Sequence, residues 1–290
     1  MASSIQLLSS ARRWQVFHPA IYLISVLPGL FWSVVLPDKY SRFDLAITTL
    51  SVVLIQHGVN VLNDFIDWKK GADSEKEISW VHLHHLNLRV VQFHGLLSFI
   101  LGISLGCLVV VHHQSFKVLY VALPLVALGY SYNASQWTLS YTALGEWVTG
   151  LCYGPGVFGC MGYLFEKKIT TITVLGSLAF GFLAVSVLFS HQPPQILTDF
   201  LSGKSSFAVR HGAQRTFFVS KIFSALALVF LSTLLFLITS NSISVFALFI
   251  FEIFLLFRIK RLKPSPKIIL DSFLWLGSLS LILKLSGGLS

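Results

Sequence analysis

Charge is scarce in this sequence. Only 11% of its 290 residues are Asp, Glu, Lys or Arg, against 54% hydrophobic residues and a mean hydropathy of +0.76. A water-soluble domain of this composition lacks the polar surface to cover itself, so a multispanning membrane protein is expected. Cysteine is scarcer still. Cys107, Cys152 and Cys160 sit singly in apolar runs without metal-ligand spacing, which suits small buried hydrophobes and gives redox chemistry little support. Arg12 and Arg13 precede no short apolar core with a small-residue cleavage site, so no cleaved leader is expected.

What the chain has in abundance is apolar length. Runs able to cross about 30 Å of hydrocarbon occur at Ile21–Leu36, Leu45–Leu62, Leu96–Val111, Phe116–Tyr132, Trp147–Leu164, Ile172–Phe189, Phe217–Ile238, Val245–Phe257 and Ile268–Leu285. These nine runs predict nine spans in one membrane domain over residues 1–290, with the termini on opposite sides. A cytoplasmic N-terminus leaves Lys39, Arg42, Lys117, Lys167, Lys168 and Lys284 outside. The other fifteen of the 21 basic residues then lie inside, a clear positive-inside asymmetry. It accounts for the net charge of +9 through lipid headgroups, without nucleic acid. The expected fold is an all-α membrane bundle of antiparallel helices around a central cavity open to the cytoplasm.

Two polar stretches fall on that cytoplasmic side. The first runs Asn60-Val61-Leu62-Asn63-Asp64-Phe65-Ile66-Asp67, then Lys69-Lys70-Gly71-Ala72-Asp73. At 100° per residue, Asn60, Asp64 and Asp67 fall within about 60° of one another, with Asn63 one step aside. Carboxylates so close repel unless a cation sits between them. Mg²⁺ suits oxygen ligands and also binds substrate phosphates. The competing reading is a solvated helix end in which Asp67 and Asp73 pair with Lys70 and Lys76; ionisable groups at membrane depth favour a site.

The second stretch places His191, Gln195 and Asp199 at successive i,i+4 positions, interrupted by Pro193-Pro194, with Lys204 and Arg210 beyond. A metal held by Asp64 and Asp67 on one side and Asp199 on the other, with Lys204 or Arg210 on phosphate oxygens, would neutralise a leaving diphosphate. An ordinary interfacial loop has the same composition. Between spans four and five, Tyr130-Ser131-Tyr132-Asn133 and Tyr141 to Trp147 mix aromatics with amide and acid. They fit either a cation-stabilising cavity wall or an interfacial aromatic belt, and Glu146 fits a helix N-terminus.

The run Asn60 to Asp73 resembles the first aspartate-rich motif of the UbiA superfamily of intramembrane prenyltransferases. Its form, Asn-Asp-Phe-x-Asp-x-Lys-x-Gly-x-Asp, is similar to the branch that prenylates 1,4-dihydroxy-2-naphthoate in menaquinone synthesis. So are Tyr141-x-x-Leu144-Gly145-Glu146 with Tyr153-Gly154-Pro155, and Asp199-x-x-x-Gly203-Lys204 leading to Val209-Arg210-x-Gly212. The resemblance implies a Mg²⁺-dependent enzyme of isoprenoid quinone synthesis in a bacterial inner membrane, taking an isoprenyl diphosphate donor and a membrane-associated aromatic acceptor. It implies metal ligation by Asp64, Asp67 and Asp199, and diphosphate contact by Lys204 and Arg210. Asn60, Asn63, Asp73 and Gln195 would lie beside the ions or diphosphate, and Tyr132 and Tyr141 in the cavity. Two positions depart from the pattern: Gln195 replaces an aspartate and His191 an asparagine of the second motif. Before Tyr141, Thr138-Leu139-Ser140 replaces a lysine and proline pattern. The alternatives are a transporter or channel, for which Glu252 invites a proton-relay role, an intramembrane polyprenyl phosphotransferase, and a catalytically inactive homologue.

Overall fold

A computed structural model describes residues 15–17, 19–72, 78–133 and 138–289. Numbered in chain order, its helices are α1 Pro19–Val35, α2 Arg42–Lys69, α3 Trp80–Leu83, α4 Leu88–His112, α5 Leu119–Asn133, α6 Gly145–Glu166, α7 Thr171–His191, α8 Ile196–Leu201, α9 Phe207–His211, α10 Ala213–Leu237, α11 Ser242–Arg261 and α12 Pro266–Leu285. Among the described residues, the only β-type pairing is an isolated antiparallel bridge between Thr239 and Leu289. The molecule is an all-α, multispanning membrane bundle. Among the described residues, seven helices are long and apolar enough to cross a membrane: α2, α4, α6, α7 continued through α8, α10, α11 and α12. Two shorter apolar helices, at residues 20–35 and 116–132, accompany them.

Local sequence sets the helix ends. Ser41 caps α2, its hydroxyl accepting from the Asp44 amide at 3.1 Å, and Asp44 and Lys69 complement the helix dipole at opposite ends. The carbonyls at the C-terminal end of α1 receive cations from elsewhere. Lys284 of α12 donates to Val34 and Leu36 at 2.7 Å, and Arg42 to Ser33 at 2.8 Å. Pro155 lies in a π-helical stretch, Cys152–Gly159, within α6. A proline there cannot donate its helix hydrogen bond, and the wider turn accommodates the loss.

Lipid offers no hydrophobic drive between helices, so close approach of small residues holds the bundle together. A Cβ on Gly58 of α2 would stand 2.7 Å from the Gly95 carbonyl oxygen and the Phe99 amide of α4, so these helices touch backbone to backbone. Between α7 and α10, Ser220 donates to the Ser186 carbonyl at 2.8 Å, and Ser186 and Ser224 share a hydrogen bond. Large apolar side chains including Leu108, Tyr120, Phe218, Phe246 and Ile282 remain exposed, as a lipid-facing surface requires.

Candidate active site

The bundle encloses a cavity of about 550 Å³. Its polar end is built by the last turns of α2, the segment from α7 into α8, and Lys204; its apolar walls include Ile24, Val52, Ile103, Leu123 and Leu164. The wide turn of α6 brings Cys152, Tyr153 and Gly156 to the wall. Tyr132 also lines it.

Asp64, Asp67 and Asp199 all line this one cavity and are all buried, although more than a hundred residues separate α2 from α8. Asp67 uses both carboxylate oxygens. Oδ1 accepts from the Tyr141 hydroxyl at 2.8 Å, and Oδ2 from Asn63 Nδ2 at 3.0 Å and Lys204 Nζ at 2.9 Å. Lys204 also stands 3.8 Å from Asp199 Oδ1, bridging the two aspartate-bearing segments. The other Asp199 oxygen accepts from the Ser206 hydroxyl at 3.2 Å, and Asp64 Oδ2 accepts from the Trp80 amide at 2.9 Å. Lys204 is shared by Asp67 and Asp199, and the three carboxylates do not close into a single ligand shell. The one described group of three His, Cys, Asp or Glu side chains with donor atoms within 4.8 Å of one another is elsewhere: Asp44, His112 and His113.

Lys204 owes its position to the turn before it. Gly203 has φ +79°, a left-handed conformation that favours glycine, and the Lys204 amide donates back to the Asp199 carbonyl at 2.8 Å. Ser205 then donates to the Tyr141 carbonyl at 3.0 Å, joining this loop to the segment before α6. Lys70, exposed and outside the cavity lining, stands behind Tyr141: it donates to Thr138 at 2.8 Å and lies 3.8 Å from the centre of the Tyr141 ring. Burial lowers the Lys70 pKa from its ordinary value; Lys204 adds to this and Asp67 opposes it.

His191, Gln195 and Asp199 all reach the cavity despite the proline pair, and Asn60 and Asn63 line it too. Asp73 lies outside the described residues. Tyr141 acts from behind, through Asp67. Arg210 is placed away from the cavity lining: it is exposed, donates to the Ser205 carbonyl at 3.0 Å, and stands 3.9 Å from Glu146 Oε2. Sequence reasoning did not find three contributors: Trp80, whose amide holds Asp64, Glu146 as a loop clamp, and Gln192. Glu146 Oε1 accepts from the Phe207 amide at 2.5 Å and from Gln192 Nε2 at 3.1 Å, while Gln192 Oε1 accepts from the Ala208 amide at 3.3 Å. Glu146 thus serves the start of α9, where its place in the first turn of α6 had suggested a cap of its own helix. The signal for it was a carboxylate in an apolar sequence; Gln192 and Trp80 gave none.

Residues 22–278 match the model of the UbiA prenyltransferase family. The chain belongs to that family. Among curated proteins it is similar to a 1,4-dihydroxy-2-naphthoate octaprenyltransferase of Bacillus subtilis, 25% identical over 206 residues, covering 69% of this chain and 65% of that protein. It is also similar to a 2-carboxy-1,4-naphthoquinone phytyltransferase of Synechocystis, 27% identical over 203 residues, covering 68% and 64%. The chain therefore spans just under two thirds of these relatives. A solved UbiA homolog from Archaeoglobus fulgidus, bound to DMAPP and Mg²⁺, superposes with a TM-score of 0.65 over 95% of this chain and 98% of that one, at 14% identity. That likeness establishes a shared fold.

Proposed function

We propose that this UbiA family member transfers a prenyl group from an isoprenyl diphosphate to a membrane-associated aromatic acceptor, in dependence on Mg²⁺. One observation carries the reading: three buried carboxylates from distant segments line one end of a cavity whose remaining walls are largely apolar. A substrate matched to such a cavity has a compact polar head that recruits cations and a long apolar tail.

The donor set fits the metal. Carboxylate and amide oxygens of Asp64, Asp67, Asp199, Asn60 and Asn63 are hard ligands, and their separate placement suits an ion bound by one or two carboxylates while it also holds substrate phosphates. When bound, Mg²⁺ supplies Lewis-acid neutralisation of the departing diphosphate. Lys204, already between Asp67 and Asp199, adds positive charge at the same end, and Lys70 stands behind it. Asn63, Tyr141 and the Trp80 amide fix the carboxylates in place. The apolar walls take the isoprenoid chain and exclude water from the allylic cation, whose charge the Tyr132 ring face can stabilise. Gln195, a neutral neighbour on the α8 side, orients the diphosphate through its amide.

At finer grain, the motif Asn63-Asp64-Phe65-x-Asp67 and the naphthoate prenyltransferase relatives support an acceptor of the 1,4-dihydroxy-2-naphthoate type in menaquinone synthesis, hence a bacterial inner membrane. Counting the two shorter apolar helices as spans gives nine in a single domain over 1–290. The basic asymmetry then supports a cytoplasmic N-terminus, an opposite C-terminus and a cavity open to the cytoplasm. The test is incubation of purified protein with geranylgeranyl or longer diphosphates and a panel of quinone precursors. Acceptor-dependent diphosphate release, lost with chelator and restored by Mg²⁺, is expected. Vectorial solute movement without diphosphate release from any donor would overturn the reading in favour of a transporter.

A further inference from the structure

A file of hydrogen-bonding side chains leads away from the cavity. Tyr22 of α1 lines the cavity, and its hydroxyl lies 2.6 Å from Nδ1 of His57 on α2. His57 Nε2 lies 3.0 Å from Nε2 of His94 on α4, and His94 Nδ1 lies 3.0 Å from Nε2 of His84. Four groups from three helices and a loop are therefore joined without a gap. The outer member, His84, is half-buried and is followed by the exposed His85, Leu86 and Asn87. Trp80 stands edge-on to both His57 and His94, with ring centres 4.9 and 5.2 Å away, and fixes their tilt.

A neutral imidazole has one donor and one acceptor nitrogen, so the tautomers can be assigned along the file. Two assignments make all three bonds, one with every donor pointing inward and one the reverse. In the reverse, Tyr22 donates to His57 Nδ1, His57 Nε2–H to His94 Nε2, and His94 Nδ1–H to His84 Nε2, which leaves a proton on His84 Nδ1 at the outer end. Every donor then points outward.

We propose that Tyr22, His57, His94 and His84 form a proton relay between the cavity and the aqueous surface, carrying away the proton that the aromatic acceptor loses. This rests on the prenyl-transfer reading. In that reaction the donor's C–O bond breaks with its electron pair leaving on diphosphate, and a ring electron pair forms the new C–C bond. Where the attacked acceptor carbon bears hydrogen, its C–H bond then breaks, the electrons returning to the ring. The freed proton goes to the Tyr22 oxygen as the phenolic proton moves to His57 Nδ1, the His57 Nε2 proton to His94, and the His94 Nδ1 proton to His84 Nε2. The His84 Nδ1 proton leaves to water, so the file gains one proton and loses one. Exchange of the ring protons with water between turnovers resets it. Beside its ends stand Asp64 and Tyr153, with the Asn60 amide bonded to Tyr22, at the inner end and His85 near His84 at the outer. Burial, with His85 adding, holds the His84 pKa below its ordinary 6.5, which favours the neutral ring the file needs.

The experiment uses full-length protein in lipid nanodiscs with Mg²⁺, geranylgeranyl diphosphate and an aromatic acceptor, reading diphosphate release in H₂O and D₂O. His94→Ala should lower turnover about tenfold or more and alter the solvent isotope effect. Added imidazole should restore it. 1-Methylimidazole, with one nitrogen blocked by a methyl group, should not. Wild-type turnover in His94→Ala, equal rescue by both additives, or an unrescued loss with an unchanged isotope effect would each overturn the relay. If His94→Ala does not fold, His84→Ala at the outer end carries the same comparison of turnover and isotope effect. An inactive wild-type protein would instead overturn prenyl transfer, and the relay with it.

Discussion

Asp67→Asn changes one charge and almost no volume, which makes it a sharp probe of the carboxylate cluster. Three donors converge on Asp67: Tyr141 on Oδ1, and Asn63 and Lys204 on Oδ2. A carboxamide has a single acceptor oxygen, so either orientation turns an N–H toward at least one of these donors. An unsatisfied buried donor costs about 1–3 kcal/mol. Lys204 is left with Asp199 at 3.8 Å as its carboxylate partner. Folded stability should therefore fall by about 1–3 kcal/mol. The catalytic loss has a separate origin, in the missing charge where metal and diphosphate are bound, and should raise the barrier by about 1–4 kcal/mol, or roughly ten- to a thousandfold in rate. The assay is diphosphate release across a Mg²⁺ titration at fixed donor and acceptor, with melting temperature recorded on the same preparations. A lowered melting temperature with wild-type turnover and Mg²⁺ response would show that Asp67 only holds Tyr141 and Lys204 in place, and would refute the site assignment.

Three further outcomes are expected. Gln195→Asp should shift the Mg²⁺ titration to lower concentration, because it adds a carboxylate to the same cavity wall; an unchanged titration would mean that Gln195 faces acceptor or structure instead. Gly203→Ala should cost about 1–2 kcal/mol from its left-handed backbone alone, since nothing lies within 4 Å of the added Cβ, and should raise the donor KM through Lys204; an unchanged KM would separate that turn from donor binding. His84, beside His85 and His94, has its folded pKa lowered by burial from 6.5, so the unfolded chain takes up the proton first as pH falls. Stability should drop as pH falls through 6.5 toward the folded value and the loss should be complete below it; melting curves of His84→Asn with an unaltered slope would contradict this.

The sequence made the ingredients of the site visible because helical periodicity is local. Asn60, Asp64 and Asp67 share a face by their spacing alone, and they line the cavity together. Asp199 was readable as a second acidic position, and its face with His191 and Gln195 survives the proline pair because the chain re-enters a helix at Ile196. Pairing was not readable. Lys204 and Arg210 are equivalent cations in the sequence, yet the Gly203 turn sends one to Asp67 and the start of α9 brings the other near Glu146. The distinction depends on where α6 and α8 meet, which periodicity does not encode. The histidine file was hidden for the same reason: His57, His84 and His94 come together only when α2 packs against α4 across Gly58 and Gly95.

Charge balance at the polar end explains why such a site calls for divalent cations in the reaction proposed here. Asp64, Asp67 and Asp199 contribute three negative charges, and Lys204 and Lys70 offset two. The end therefore stands near minus one. An incoming diphosphate ester brings about three more in a setting of reduced dielectric, where uncompensated charge is costly. The remaining described cation of the second motif, Arg210, stands 3.9 Å from Glu146 and offsets that carboxylate, so the side chains described around this end do not close the deficit. Two divalent ions would. The carboxylates are distributed to match, Asp64 and Asp67 on α2 and Asp199 across the cavity on α8, with Lys204 between the last two. Metal dependence on this reading follows from the shortage of positive charge as much as from the presence of ligands.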